Sequence, residues 1–163
     1  LDLLLKSSRS EGDPNLTMQP YPVELLLDAV RREHADGPNL DFEIDSHLPN
    51  VLADPFQVNL VFENLISNAE RYQLEGSPVT VKAAKSADGN FVRFSILDRG
   101  RGVAEEDQDR IFERFFRVNE NSRRAGLGLW VSREIIRAHH GRIGVESSPD
   151  ESTEFFFELP LSS

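Results

Sequence analysis

Apolar residues recur along the chain with two spacings, and each spacing predicts a different kind of element. Alternating apolar positions predict short strands at 16–21, 40–44, 51–52, 79–83, 91–97, 143–146 and 155–159. Apolar positions three or four residues apart predict helices at about 22–37, 55–72 and 128–140, with a shorter helical stretch at 109–116. Asp54-Pro55 supplies a cap and a first-turn proline for the second helix, and Gly141 is expected to close the third.

These elements mix helices with hairpin-linked strands, which favours one fold class. Asp88-Gly89-Asn90 lies between two alternating runs and is a hairpin signal. No internal repeat is evident, and 163 residues is the length of one domain. The sequence therefore predicts an α+β fold, a two-layer sandwich in which one mixed, mostly antiparallel sheet is covered on one face by about three helices.

Composition narrows the classes of partner and of chemistry. The chain has no cysteine, which excludes disulfides, thiolate catalysis and cysteine-rich zinc sites. Because 28 acidic residues outweigh 18 basic ones, the formal net charge is -10, and neither nucleic acid nor an anionic membrane surface is an expected partner. No apolar run approaches the ~20 residues of a membrane span, so we expect no direct membrane contact by this chain. An anion that binds here must be held by local geometry.

The helix that follows Pro55 carries polar residues suited to a metal and to phosphates. Asn64, Asn68 and Arg71 fall on one stripe of this helix, about a third of a turn from its apolar stripe. An amide oxygen can ligate Mg²⁺, and a guanidinium can bridge phosphate oxygens. Taken alone, the same pattern fits an ordinary solvated helix face equally well.

Two glycine-containing segments are the next candidates for ligand binding. Asp98 ends a predicted strand and is followed by Gly100 and Gly102, so a carboxylate that can accept from an amine lies beside backbone that a ligand can approach closely. Gly126 and Gly128 precede a helix, whose first N–H groups can cradle phosphate. The glycine spacing does not match the dinucleotide fingerprint, and no GK[ST] follows. Each segment alone is also what an ordinary turn or helix entry contains.

The long connection at 98–125 contains an aromatic cluster and local positive charge. Phe112, Phe115 and Phe116 have helical spacing, which is more typical of core packing than of a ligand site. Three arginines follow in an otherwise acidic chain, at positions 117, 123 and 124. Connections this long inside one domain are usually functional, so a lid over phosphates and a plain solvated loop both remain open.

The order and spacing of these motifs resemble the catalytic ATP-binding domain of sensor histidine kinases, in the wider superfamily of gyrase, Hsp90, histidine kinase and MutL ATPases (the Bergerat fold). The resembling segments are 64–72 (asparagine box), 98–102 (first glycine box), 111–116 (phenylalanine box) and 126–129 (second glycine box). The likeness extends over about 15–160. It implies a catalytic domain at 14–163, preceded at 1–13 by the remnant of a dimerisation helix and linker.

The resemblance also implies roles for individual residues. Asn68 would ligate Mg²⁺, Asn64 and Arg117 would be catalytic, and Asp98 would accept a hydrogen bond from the adenine amine. The residues expected to bind ATP are Asn64, Asn68, Arg71, Tyr72, Asp98, Gly100, Gly102, Arg124, Gly126, Leu127, Gly128, Leu129 and Thr153.

By the same resemblance, the chain would transfer the γ-phosphoryl group of Mg-ATP to a histidine. None of its own histidines, at positions 34, 47, 139 and 140, has the acceptor pattern of the family. His139 and His140 close a helix, where a cation would suit the helix dipole, and a structural role is expected for them. The acceptor is therefore expected on a separate histidine-bearing dimerisation domain, with a response regulator downstream. A cytoplasmic location is expected, and the chain could be the cytoplasmic portion of a membrane-anchored sensor.

Two alternatives stay open at this point. Arg124 stands where the family usually has a glycine, and the segment at 117–126 is short, which would suit a degenerate, non-catalytic nucleotide-binding or docking module. A gyrase- or MutL-type ATPase, or an anti-sigma serine kinase, would need a glutamate base four residues before the metal-binding asparagine. Asn64 occupies that position, and Glu63 lies about 100° away around the helix.

Overall fold

The computed structural model describes residues 16–37, 39–72, 76–100, 102–116, 128–148 and 152–162. The segment 1–13, expected to be the remnant of a dimerisation helix, lies outside the described residues. The elements, in chain order, are β1 (Gln19–Tyr21), α1 (Val23–Glu33), β2 (Leu40–Ile44), β3 (Val51–Ala53), α2 (Pro55–Tyr72), β4 (Val79–Lys85), β5 (Phe91–Asp98), α3 (Glu105–Gln108), α4 (Gly128–Ala138), β6 (Arg142–Ser148) and β7 (Ser152–Pro160).

Five strands form one mixed sheet in the order β2-β4-β5-β7-β6. Strand β2 is parallel to β4, and the other neighbours are antiparallel, while β1 and β3 form a separate antiparallel pair. The hairpin predicted at Asp88-Gly89-Asn90 joins β4 to β5, and Gly89 has the positive φ that such a turn requires. The predicted α+β class is confirmed. None of the helices in the described ranges has both the length and the apolar character needed to cross a membrane.

Alternate residues of the central strands point to one face of the sheet, where the helices cover them. Phe94 of β5, Phe157 of β7 and Phe62 of α2 are fully buried there. The rings of Phe94 and Phe157 stack with centroids 5.0 Å apart, and the Phe62 ring meets them edge-on at 5.5 and 5.0 Å. Such pairs add about 0.5–1.5 kcal/mol each beyond the burial of their area. This aromatic cluster therefore fixes α2 against the two strands on which the candidate site is built.

The cap predicted for α2 is present and also holds the incoming chain. Asp54 Oδ1 accepts hydrogen bonds from the N–H groups of Phe56 (3.1 Å) and Gln57 (3.4 Å). Its Oδ2 accepts a third from the N–H of Thr17 at 3.0 Å. One carboxylate thus satisfies donors at the start of α2 and also holds the backbone at Thr17.

The short helix in the long connection lies earlier than the sequence predicts. It is α3 (Glu105–Gln108), whereas residues 109–116 form successive turns. The N–H of Arg110 donates to the carbonyl of Asp107 at 2.9 Å, a three-residue spacing, and Phe115 has a φ of 65° that no α-helix accommodates. The prediction at 109–116 was wrong because helical spacing of aromatic residues also suits a series of turns packed on the core.

Helix α4 ends two residues before the predicted His140, and Gly141 is not its left-handed residue. His140 takes that conformation, with a φ of 58°, and the N–H of Gly141 donates to the carbonyl of Ile136 at 2.9 Å. Gly141 is needed for another reason, since a Cβ there would collide with the backbone oxygen of Glu158 on β7. Gly141 is thus required by the close approach of β7, which the sequence does not reveal.

His139 is fully buried and neutral, so the expectation of a cation at this helix end is wrong for it. Its Nδ1–H donates to the carbonyl of Ile135 at 2.8 Å, and its Nε2 accepts from the N–H of Asp54 at 3.0 Å. Desolvation by burial is the main reason that the pKa of His139 lies below 6.5. The side chain therefore ties the end of α4 to the start of α2.

We predict that His139 makes the fold sensitive to mild acid. The folded pKa of His139 lies below the unfolded value of about 6.5, so between these two pKa values the unfolded chain binds more protons at this residue than the folded chain does. The contribution of His139 to stability therefore falls as the pH drops below about 6.5. His139→Gln should lower the free energy of unfolding at pH 8 by about 1–3 kcal/mol, because one side-chain amide cannot replace both ring nitrogens and either the Asp54 N–H or the Ile135 carbonyl loses its partner. As measured by urea unfolding, His139→Gln should also remove the contribution of this residue to the pH dependence of stability between pH 7 and pH 5.

His140→Asn is the matched control, since it changes the exposed neighbour and keeps a residue that tolerates positive φ. It should leave both the stability and its pH dependence within about 0.5 kcal/mol of the parent. An unchanged pH slope in His139→Gln would contradict the assignment of a neutral, buried imidazole.

Candidate functional site

Asp98 ends β5 with a carboxyl group that the fold buries. Its side chain is 4% exposed, and Oδ1 has no hydrogen-bond partner among the described residues. Desolvation raises the pKa of the Asp98 carboxyl to about 6. Buried acceptors are nearly always paired in folded proteins, so a buried oxygen without a donor indicates a place where a ligand donor binds. An exocyclic amine such as that of adenine is a suitable donor.

Thr153 and Ser147 place further polar groups at the same end of the sheet. Thr153 lies opposite Asp98 in the β5–β7 register and is 3% exposed. Its Oγ1 is 3.2 Å from the Oγ of Ser147 on β6. Three adjacent strands thus carry one polar cluster. The sequence pointed to Asp98 and Thr153, but Ser147 was missed because only the β6–β7 register brings it beside Thr153.

The segment that follows Asp98 folds back on the edge strand. Gly100 is buried, and Gly102 has a φ of 73°, a conformation that side chains other than glycine rarely adopt. The N–H of Val103 then donates to Ser147 Oγ at 2.8 Å, and Gln108 Nε2 donates to the carbonyl of Val103 at 3.1 Å. The backbone at Val103, directly after Gly102, is therefore held against strand β6.

Asn64 joins α2 to the first turn of α4. Its Nδ2 donates to the carbonyl of Gly128 at 3.2 Å and to Ser132 Oγ at 3.3 Å, while Ser132 Oγ donates to the same carbonyl at 2.9 Å. Gly128 itself is exposed. The amide of Asn64 thus holds the start of α4, which is the helix end expected to bind phosphate. Ser132 was missed by the sequence analysis, although its position one turn after Gly128 is a usable signal.

Asn68 and Arg71 follow Asn64 along α2. Asn68 is half-buried, and no hydrogen bond joins its side chain to another residue in the described part of the chain, so its amide oxygen suits a metal ligand. Arg71 is exposed on the last turn of the helix. Both positions agree with the stripe that the sequence predicts.

Glu63 faces a different part of the molecule from Asn64. Its carboxyl shares a hydrogen bond with Glu33 of α1, and this contact, followed by burial, raises the pKa of Glu63. Glu33 in turn accepts from Asn59 Nδ2 at 2.8 Å. Glu63 therefore faces α1 and is not placed to act as a base beside Asn64.

The phenylalanine-rich turns connect the sheet to α4. Phe112 is 5% exposed and meets Phe155 of β7 edge-on with centroids 6.3 Å apart, which confirms the predicted core packing for this residue. Phe115, in contrast, is 53% exposed. The guanidinium of Arg114 lies 5.1 Å from the ring of Trp130 on α4. These contacts fix the chain on both sides of residues 117–127.

The described site residues form two groups on different elements. One group surrounds Asp98 at the end of the sheet, and the other lies where α2 meets α4; no hydrogen bond joins the two groups within the described ranges. Leu129 packs half-buried against the core. The remaining expected residues lie outside the described residues, namely Arg117, Arg124, Gly126, Leu127 and the side chain of Tyr72.

Residues 53–163 match the family described as histidine kinase-, DNA gyrase B- and HSP90-like ATPase. The chain is 36% identical over 143 residues to the alginate biosynthesis sensor protein KinB of Pseudomonas aeruginosa, covering 85% of this chain and 24% of KinB. It is 37% identical over 149 residues to the adaptive-response sensory kinase SasA of Gloeothece citriformis, covering 90% of this chain and 38% of SasA. The chain thus spans well under half the length of these relatives.

Solved structures agree with this assignment. The structure of full-length ShkA in complex with AMPPNP superposes with a TM-score of 0.80 at 30% identity, over 99% of this chain and 35% of ShkA. The catalytic domain of the histidine kinase ThkA superposes with a TM-score of 0.76 at 26% identity, over 90% of this chain and 97% of that domain. This chain therefore belongs to the histidine kinase-, DNA gyrase B- and HSP90-like ATPase family, and within it resembles the catalytic domains of sensor histidine kinases.

Proposed function

We propose that this chain is the ATP-binding catalytic domain of a two-component sensor histidine kinase and supplies the γ-phosphoryl group of ATP to a histidine. The observation that carries the proposal is the buried Asp98 carboxylate, whose Oδ1 lacks a donor within the described residues. Membership of the ATPase family and the AMPPNP bound to the related ShkA support ATP as the ligand.

On the base side, Asp98 accepts a hydrogen bond from the adenine amine. Its position at the end of a central strand, opposite the buried Thr153, gives the carboxylate a fixed direction. Gly100 and Gly102 leave the backbone open to close approach by the purine. Because the carboxylate is desolvated before the nucleotide arrives, the new hydrogen bond forms in an environment of low dielectric constant, where it is strong.

On the phosphate side, α2 and the start of α4 hold the triphosphate and its metal ion. The amide oxygen of Asn68 would ligate Mg²⁺, which neutralises phosphate charge when bound. Asn64 keeps the first turn of α4 in place, and Arg71 supplies a positive charge at the end of α2. The roles expected of Arg117 (catalytic) and of Tyr72, Arg124, Gly126, Leu127, Gly128 and Leu129 (ATP binding) stay predictions. The residues of this chain position the nucleotide, and no covalent step on the protein is required.

The acceptor histidine and the response regulator lie outside this domain. The described histidines are the buried His139 and three residues, His34, His47 and His140, that lie at helix ends or turns. We therefore place the acceptor on a dimerisation domain, for which residues 1–13 would be the remaining link, with a response regulator as the next phosphate acceptor. We also propose a cytoplasmic location, where ATP is available, which includes the cytoplasmic portion of a membrane-anchored sensor.

The branches of the family that use a glutamate base, the gyrase- or MutL-type ATPases and the anti-sigma serine kinases, fit this site less well. They need a carboxylate base beside the nucleotide, whereas the carboxyl of Glu63 shares a hydrogen bond with Glu33 of α1, and Asn64 cannot accept a proton in that role.

We predict that Asp98→Asn weakens nucleotide binding while it stabilises the free chain. Calorimetric titration with ATP and ADP should show saturable binding by the parent and a Kd at least about tenfold higher for Asp98→Asn, because an amide presents a donor to the adenine amine. In the absence of nucleotide, the variant should unfold at higher urea concentration than the parent at pH 8, by on the order of 1–3 kcal/mol.

The pH dependence of the stability gained by Asp98→Asn identifies the cause of that gain. The folded pKa of Asp98 is raised from 3.8 to about 6, so the contribution of this residue to the stability of the parent is lost as the pH rises through 6 and is regained in acid. The advantage of Asp98→Asn should therefore shrink between pH 7 and pH 5. Unchanged ADP affinity in the variant, or an advantage independent of pH, would contradict the assignment of Asp98.

We predict that Asn68→Ala removes the magnesium dependence of binding without removing binding itself. For the parent, adding Mg²⁺ should tighten ATP binding, and in Asn68→Ala the ATP affinity with and without Mg²⁺ should agree within about twofold. Asn59→Ala is the matched control, because Asn59 is on the same helix but contacts Glu33 of α1. Full retention of the magnesium effect in Asn68→Ala would exclude Asn68 as the ligand.

A further inference from the structure

We propose that Gln108 is a positioning residue for the nucleotide base, which fixes the backbone at Gly102 and Val103 against strand β6. The inference deepens the proposed function and rests on it, since it concerns the adenine end of the same site. Gln108, the last residue of α3, thereby affects which base the site accepts and how tightly that base binds.

The amide of Gln108 bridges two segments that are distant in sequence. Its Nε2 donates to the carbonyl of Val103 at 3.1 Å and to the carbonyl of Ser147 on β6 at 3.4 Å. The side chain is half-buried at the end of α3. Both N–H bonds of one amide are thus used to hold the segment after β5 against the edge strand.

Ser147 completes the attachment from the other side. Its Oγ accepts from the N–H of Val103 at 2.8 Å and lies 3.2 Å from Thr153 Oγ1. Thr153 is the register partner of Asp98. Both backbone polar groups of Val103 are therefore held, and a continuous set of contacts leads from Gln108 through Ser147 to the residue paired with Asp98.

This attachment matters because the segment it holds contains a flexible point. Gly102 has the positive φ that glycine adopts readily, and glycine loses more conformational entropy on ordering than other residues. Without Gln108, the nucleotide would have to order this backbone when it binds, which lowers its affinity. The loss should fall on the base side, because the contacts of Gln108 involve the sheet end and not α2 or the start of α4.

The test compares Gln108→Met with the parent chain, using ADP and GDP as probes with and without Mg²⁺. Methionine has nearly the same size but no N–H, so the variant removes the two hydrogen bonds and keeps the packing. We expect the Kd for ADP to rise roughly five- to fiftyfold, by the same factor with and without Mg²⁺, and the preference for ADP over GDP to fall. Ser147→Ala should raise the Kd to a similar extent. The Kd of the double variant should be little higher than that of either single variant, because both changes release the same backbone segment.

Glu106→Gln, an exposed change on the same short helix, is the control and should bind ADP as the parent does. If Gln108→Met unfolds, Ser147→Ala carries the same comparison. A folded Gln108→Met or Ser147→Ala with the parent's Kd would overturn the inference, as would a loss seen only with Mg²⁺. If the parent itself binds no ADP, the proposed function fails and the inference fails with it; binding by the parent and by Gln108→Met alike overturns the inference alone.

Discussion

A buried carboxylate oxygen, Asp98 Oδ1, which no donor in the described part of the chain reaches, is the constraint on which this site depends. Asp98 ends a central strand at 4% exposure, and burial raises its pKa to about 6, so near neutral pH the free chain carries a desolvated charge. That charge costs stability, which the packing of Phe62, Phe94 and Phe157 on the same layer offsets. A site of this kind is prepared in advance, because the carboxylate has already lost its water when the ligand amine arrives.

The two ends of the site are supported in different ways. The base end lies on three hydrogen-bonded strands, and Ser147 and Thr153 keep their positions through the strand register. The phosphate end lies on two helices, which Asn64 joins through the carbonyl of Gly128. His139 holds the opposite ends of the same two helices together through the N–H of Asp54. Binding at the base end should therefore be less sensitive to helix motion than binding of phosphate and metal.

Local chemistry predicted much of the fold, and tertiary contacts decided the rest. The Asp54 cap and the turn at Gly89 follow from neighbouring residues alone, and both are present. The end of α4 was misplaced because His140, and not the glycine after it, takes the left-handed conformation, while Gly141 is required by its close contact with β7. In the site, Asp98 and Asn64 were predicted from motifs, whereas Gln108 and Ser147 were not, since their roles exist only when β6 lies beside β7 and the segment after β5 returns to it.

The most direct test is an NMR titration of the Asp98 carboxyl carbon between pH 4 and pH 8, in the free chain and in the chain saturated with ADP, with Asp98→Asn used to assign the signal. We expect a midpoint near pH 6 in the free chain, as burial dictates, and a midpoint at least about one unit lower with ADP, because an amine that donates to the carboxylate favours its charged form. A free midpoint near 4, or a midpoint that ADP does not move, would contradict the role of Asp98 as the adenine acceptor.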